Sequence, residues 1–253
     1  MSNQPTKENE MENNPMHKLQ PYFYENWSPE LKKLAIPMTA SIPIPKAIVE
    51  KLVNQDTKDL YIYELSKTME DSKPFFVKLS SRSPKDFLCI GRIAIPTPVK
   101  TPPEVFESFA CSMRTHEDLV CFLEEEITPY IHLQAFRPID ELSEYRLFVK
   151  GGKLVAMSQY YFQIVNNLTE FEAKRKLEIA SAYIGRHSGL FPAKDIVVDV
   201  FFNPFNNICL IEINPYGTSD PCLFGNYDRI EALSECNQTA IRWNESQTSQ
   251  IIL

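Results

Sequence analysis

The chain is expected to fold as α+β with largely antiparallel sheets. Apolar segments meet in pairs at short turns, around Gly151-Gly152 and around Asn203-Pro-Phe-Asn-Asn207, which is the pattern of β-hairpins. Between these pairs lie segments of helical period with capping residues, in no regular strand–helix alternation. That pattern disfavours a dinucleotide-binding fold.

The elements follow from local chemistry. Residues 1–18 have only methionine as apolar content, cannot repay the entropy of ordering, and are expected to form a disordered tail. The fold starts near Tyr22. Prolines between Ile36 and Pro45 forbid a central strand, and Pro45 suits the first turn of a short helix to about Gln55. Residues 60–65 and 74–79 are short and rich in Tyr, Phe, Ile and Val, so both are expected as strands. After a proline-broken connection, Pro102-Pro103-Glu104 opens a helix to about Met113, and Thr115-His-Glu-Asp118 gives a second helix, to Ile127, a start resembling a capping box. A strand over 130–136 and a hairpin over 144–162 come next, the glycines at 151 and 152 tolerating the positive φ of its turn. Thr169, with Glu172 three residues on, caps a long helix whose apolar positions are Phe171, Leu177, Ala180 and Ile184 and which stops near Gly189. Residues 196–202 and 208–214 form the second hairpin. Residues 234–253 are polar and weakly patterned, and are expected as a tail.

Composition narrows the function. With 253 residues, 43% of them hydrophobic, the chain can bury one large core or two modest lobes. A net charge of −7 argues against a broad nucleic-acid face but leaves room for a local basic pocket for a small phosphate ligand. The six cysteines, at 89, 111, 121, 209, 222 and 236, show no C-x-x-C pair and no histidine partners, so they are expected as reduced, mostly buried thiols. The first eighteen residues lack a secretory apolar core, and no run approaches the roughly 18 apolar residues of a membrane span. A cytoplasmic protein is expected, with no membrane or nucleic-acid partner, and nothing in the sequence asks for more than a monomer.

Seven glycines form neither of the two commonest phosphate cradles, G-x-x-x-x-G-K-[ST] and G-x-G-x-x-G. The most informative stretch is the second hairpin. If it is symmetric about residues 205 and 206, Asp199 lies opposite Glu212, and Asn214 follows two residues later on the same face. Facing carboxylates repel and lose hydration inside apolar strands, so the pair asks for a cation or a shared proton. Oxygen donors on a rigid sheet suit Mg²⁺. A solvated polar face is the plain alternative, but Val197, Phe201 and Leu210, expected to flank the pair, suggest a covered cleft. Lys78 ends the apolar run Phe75-Phe-Val-Lys and could meet phosphates as a point charge, or be an ordinary strand-end lysine. Arg146, within Tyr145-Arg-Leu-Phe-Val-Lys150, could reach a nucleotide, lie at a sheet edge, or form a structural ion pair.

Taken together, these segments resemble the cell division cycle protein 123 family, a divergent branch of the ATP-grasp fold that assists assembly of eukaryotic translation initiation factor 2. The resemblance spans about residues 24–227 and rests on Glu25-Asn-Trp27, Phe76-Val-Lys-Leu-Ser-Ser-Arg-Ser-Pro-Lys-Asp86, Glu144-Tyr-Arg-Leu-Phe-Val-Lys150, Lys153-Leu-Val-Ala-Met-Ser-Gln159, Val198-Asp-Val, and Ile211-Glu-Ile-Asn-Pro-Tyr-Gly217. It implies two lobes with a nucleotide cleft between them, an N-terminal lobe at 19–135 and a C-terminal lobe at 136–233. It further implies ATP and Mg²⁺ as ligands, Lys78, Ser80, Ser83 and Asp86 on the phosphate side, the backbone of Gln134, Ala135 and Phe136 at adenine, Arg146 on the nucleotide, and Asp199, Glu212 and Asn214 on the metal. Gln134 and Tyr160 stand where relatives usually carry arginine, and Glu212 where aspartate is usual. The function implied is an ATP-loaded chaperone that binds the γ subunit of initiation factor 2. An ATP-dependent ligase joining a carboxylate to an amine, or an effector aimed at a host translation factor, are the alternatives.

Overall fold

The computed structural model describes residues 15–87, 98–244 and 248–252. The chain divides into two units, one formed by Met1–Asn26 with Pro37–Arg137 and the other by Trp27–Ile36 with Pro138–Leu253.

The first unit holds a three-stranded antiparallel sheet of order β1-β3-β2, with β1 at Ala40–Pro43, β2 at Phe75–Leu79 and β3 at Tyr130–Ala135. In β2 the alternation is plain: Phe75, Val77 and Leu79 are buried and Phe76 and Lys78 take the other face. The helices are α1 (Pro15–Leu19), α2 (Lys46–Val53), α3 (Tyr63–Thr68), α4 (Pro102–Cys111) and α5 (Met113–Glu124). Their apolar sides join the sheet in one core that includes Leu52, Leu65, Phe106, Phe109 and Phe122.

Three expectations change here. Residues 60–65 are not a strand: burial falls on Ile62, Leu65 and Met69, a helical spacing, while Tyr61 and Tyr63 are 64% and 59% exposed. Residues 15–18 are ordered, because Met16 enters the core and the N–H groups of Met16 and His17 donate to the Glu125 carboxylate at 3.1 Å each; residues 1–14 lie outside the described residues. Thr115 does not cap α5. Ser112 does, accepting from the Thr115 N–H, while the Thr115 hydroxyl is buried and donates to the Phe109 carbonyl at 2.9 Å.

The second unit is a six-stranded sheet of order β7-β6-β4-β5-β8-β9, formed by β4 (Glu144–Lys150), β5 (Lys153–Gln159), β6 (Ile196–Phe202), β7 (Ile208–Pro215), β8 (Ala240–Asn244) and β9 (Thr248–Ile252). All neighbours are antiparallel except β5 and β8. Gly151 and Gly152, with φ of 57° and 77°, close the β4–β5 turn as their sequence demands. Helix α6 (Glu170–His187) opens with the Thr169–Glu172 capping box and buries Ala173, Leu177, Ala180 and Ile184. Phe171, placed on that apolar face from its type, is instead 74% exposed, being out of phase with the buried positions. Helix α7 (Tyr227–Glu235) packs Ile230 and Leu233 on Phe148, Ala156, Val197 and Ala240.

The expected C-terminal tail contains β8 and β9 instead. Ala240, Ile241 and Trp243 are all buried, because β8 lies inside the sheet with neighbours on both edges. Cys111, Cys121, Cys209, Cys222 and Cys236 carry thiols rather than disulfides, and of these only Cys222 is buried, against the expectation of mostly buried thiols; Cys89 lies outside the described residues. No described helix is long and apolar enough to cross a membrane.

Candidate functional site

In the second unit the sheet register builds a polar row one residue at a time. Glu212 on β7 pairs with Asp199 on β6, Asp199 with Arg146 on β4, Arg146 with Ser158 on β5, Ser158 with Arg242 on β8, and Arg242 with Gln250 on β9. Directly paired residues share a face, so the six side chains line one side of the sheet. The opposition of Asp199 and Glu212 is the one expected from hairpin symmetry. One detail differs: a bulge between Asp199 and Val200 shifts the register, so Leu210 pairs with Val200 and leaves the Asp199 face. The expected apolar flank therefore keeps Val197 and Phe201 but loses Leu210.

Asp199 and Arg146 form the centre of the row. The Arg146 Nε and Nη2 groups donate to the two Asp199 oxygens at 2.8 Å each, with side chains 9% and 2% exposed. Asn214 Nδ2 donates to Asp199 Oδ2 at 3.3 Å, so its amide carbonyl points elsewhere. The remaining Arg146 nitrogen donates to the Asp220 carbonyl at 3.0 Å, and the Tyr160 ring centroid lies 4.9 Å from the guanidinium carbon. Burial alone would lower the Arg146 pKa, but the charge of Asp199 and its hydrogen bonds outweigh burial and raise it. Nearby, burial pushes the Cys222 thiol up to about 12, which keeps it protonated. Strand β4 lies inside the sheet, so Arg146 is not an edge charge, and it is ion-paired.

Among the described residues, no group of three His, Cys, Asp or Glu side chains could hold a metal. The candidate set is two carboxylates and an amide, and its hard oxygen donors suit Mg²⁺, which completes its shell with phosphate and water. The donor chemistry fits, with one condition: both oxygens of Asp199 are already engaged by Arg146.

In the first unit, Lys78 on β2 is half-buried and pairs in register with His132 on β3. Strand β1 starts at Ala40, opposite Leu133, so Gln134 and Ala135 run past its start; the Phe136 N–H donates to the Pro74 carbonyl at 3.0 Å. The other expected phosphate-side residues are tied into the fold. The Ser80 hydroxyl donates to Glu25 and accepts from the Tyr130 N–H at 2.8 Å. Ser83 is buried, and its carbonyl accepts from the Lys85 N–H at 2.9 Å. Asp86 accepts from the Ser112 hydroxyl at 2.5 Å and the Arg114 N–H at 3.3 Å, at the start of α5.

Two carboxylates that pin this loop went unassigned in the sequence. Asp118, 2% exposed, accepts from the Ser81 hydroxyl and from both Nε and Nη2 of Arg82. Glu25 accepts from Ser80 and meets His132 Nε2 at 2.9 Å, while His132 Nδ1 meets the Ser41 hydroxyl at 2.9 Å. Glu25 was visible only as part of Glu25-Asn-Trp27. Asp118 stands in the sequence only as a residue of a helix start.

An α+β protein with a buried acid–arginine row across its larger sheet is the class that fold and site define. The D123 family model matches residues 50–251, and the chain belongs to that family. Cell division cycle protein 123 of Candida glabrata is 34% identical over 98 residues, covering 36% of this chain and 26% of that protein. A translation initiation factor eIF2 assembly protein of Danio rerio is 34% identical over 83 residues, covering 32% of this chain and 24% of that one. The matched stretches thus span about a quarter of either curated relative. The structure of Cdc123 from Schizosaccharomyces pombe superposes with a TM-score of 0.68 at 24% identity, covering 85% of this chain and 92% of that one. The α+β fold with largely antiparallel sheets is the one expected, and it is shared with the Schizosaccharomyces pombe Cdc123.

Proposed function

We propose that the chain is a Mg-ATP-binding assembly factor for translation initiation factor 2, acting by binding its γ subunit. The observation that carries the reading is the Asp199–Glu212–Asn214 set of oxygen donors, standing beside a buried arginine in a member of the D123 family. Glu212 and Asp199 would hold the metal with the Asn214 carbonyl, and Arg146 would serve the phosphates. Lys78 would meet phosphate as a point charge, and the backbone at Gln134 and Ala135, past the start of β1, would offer its polar groups to adenine. When bound, magnesium would neutralise charge on the phosphates. Ser80, Ser83 and Asp86 would line the phosphate side on the loop that follows Lys78, which their hydrogen bonds hold in place.

Binding is favoured over phosphoryl transfer for a stated reason. A ligase needs cations poised for the transferring group. Here Arg82 is committed to Asp118, while Gln134 and Tyr160 supply no cation. The test is capture of the purified γ subunit by the purified chain with and without Mg-ATP, with phosphate release followed in the same mixture. Nucleotide-dependent capture with negligible release supports the chaperone; release stimulated by a carboxylate and an amine supports the ligase.

A further inference from the structure

We propose that Arg146 makes metal binding at Asp199 conditional on an oligophosphate: the guanidinium holds both carboxylate oxygens until the phosphates offer it a replacement anion. This rests on the magnesium and triphosphate reading above.

The geometry sets the condition. Both Asp199 oxygens are engaged: Oδ1 accepts from Arg146 Nε, and Oδ2 from both Arg146 Nη2 and Asn214 Nδ2. The guanidinium lies between the Asp220 carbonyl and the Tyr160 ring, and it is 8% exposed. Neither neighbour is an anion. A metal that took Asp199 alone would leave a buried cation without its counter-charge, which disfavours the metal on the order of a hundredfold or more. The amide of Asn214 meets the same obstacle, because its nitrogen, which cannot bind a metal, is the end turned to Asp199.

An oligophosphate removes both obstacles. Its oxygens can take over the Arg146 donors as charge-assisted hydrogen bonds and complete the shell of a metal held by Asp199 and Glu212. Metal and phosphate then raise each other's affinity by one common factor. The part of the coupling that exceeds direct phosphate–metal coordination is a property of Arg146, not of the carboxylates.

The experiment uses Mn²⁺ as a magnesium stand-in with an electron-spin signal, measuring protein-bound metal for the full chain alone and with a non-hydrolysable ATP analogue. The wild type should bind Mn²⁺ on the order of a hundredfold more tightly with the analogue present. Arg146→Gln should bind Mn²⁺ alone, with that dependence reduced to less than about tenfold. Wild type that binds Mn²⁺ equally well with and without the analogue overturns the inference while leaving the metal site standing, and so does a variant as strongly coupled as the wild type. Absence of bound Mn²⁺ under every condition overturns the inference through the metal reading it rests on. Should Arg146→Gln fail to fold, Arg146→Lys, which keeps the charge but not the two-pronged contact, carries the test: weaker coupling supports the role of Arg146, and unchanged coupling overturns it.

Discussion

Replacing Asp199 by alanine should destabilise the second unit, beyond any effect on ligands. The two side chains of the Arg146–Asp199 pair are 9% and 2% exposed and joined by two hydrogen bonds of 2.8 Å. Removing the carboxylate strands a largely buried guanidinium, a change that costs about 3–5 kcal/mol when one partner of a buried pair is lost. That is a large share of the ~5–15 kcal/mol by which domains are stable. With a urea m-value of about 2 kcal/mol/M, the unfolding midpoint should fall by roughly 1.5–2.5 M. Replacing both partners together, as Arg146→Met with Asp199→Leu, removes both buried charges and should recover most of the loss, because a buried pair often contributes little against apolar side chains of similar size. Urea titrations followed by circular dichroism measure Asp199→Ala, the double variant and its two singles. A loss below about 1 kcal/mol for Asp199→Ala, or a double variant as costly as the sum of the singles, would refute the assignment of this pair as a desolvated, mutually dependent unit.

The other expected outcomes concern separate parts of the chain. Burial alone would raise the pKa of Glu25, but hydrogen bonds from His132 and Ser80 outweigh it and hold the carboxyl below its ordinary 4.5. Its contribution to stability is then complete above that ordinary value and is lost as the pH falls through the depressed one, so Glu25→Gln should flatten the acid limb of a stability–pH curve; an unchanged acid limb would contradict this. Trp243 is 2% exposed on an internal strand, so Trp243→Ala should cost about 3–5 kcal/mol by chemical denaturation, whereas a true tail residue would cost almost nothing. Lys78→Ala should weaken ATP binding by more than it weakens adenosine binding, and equal losses in the two titrations would show that the lysine does not meet phosphate.

What the sequence makes legible is mostly local. The Gly151-Gly152 turn, the Thr169–Glu172 capping box and the pairing of Asp199 with Glu212 each depend on residues a few positions apart or on one hairpin, and all are present. The errors come where type and period disagree, or where partners are distant. Residues 60–65 have strand-like composition but helical burial. The bulge after Asp199 changes the face of Leu210 without any glycine to announce it. Strands β8 and β9 are short, and their place in the sheet depends on a parallel pairing with β5, about 84 residues away in sequence. The same distance problem hides the chemistry: Arg146 and Asp199 meet only because β4 and β6 are neighbours, and Asp118 reaches Arg82 from another element. Candidate ligands could be named from spacing, but not the partners that already occupy them.

The most direct measurement is a calorimetric titration of the full chain with ATP in the presence and absence of Mg²⁺. Binding that requires the metal, and that Glu212→Ala abolishes while circular dichroism shows the fold intact, is the expected result. Binding that is equally tight without the metal, or no binding under either condition, would contradict a magnesium-nucleotide site on the Asp199–Glu212 row.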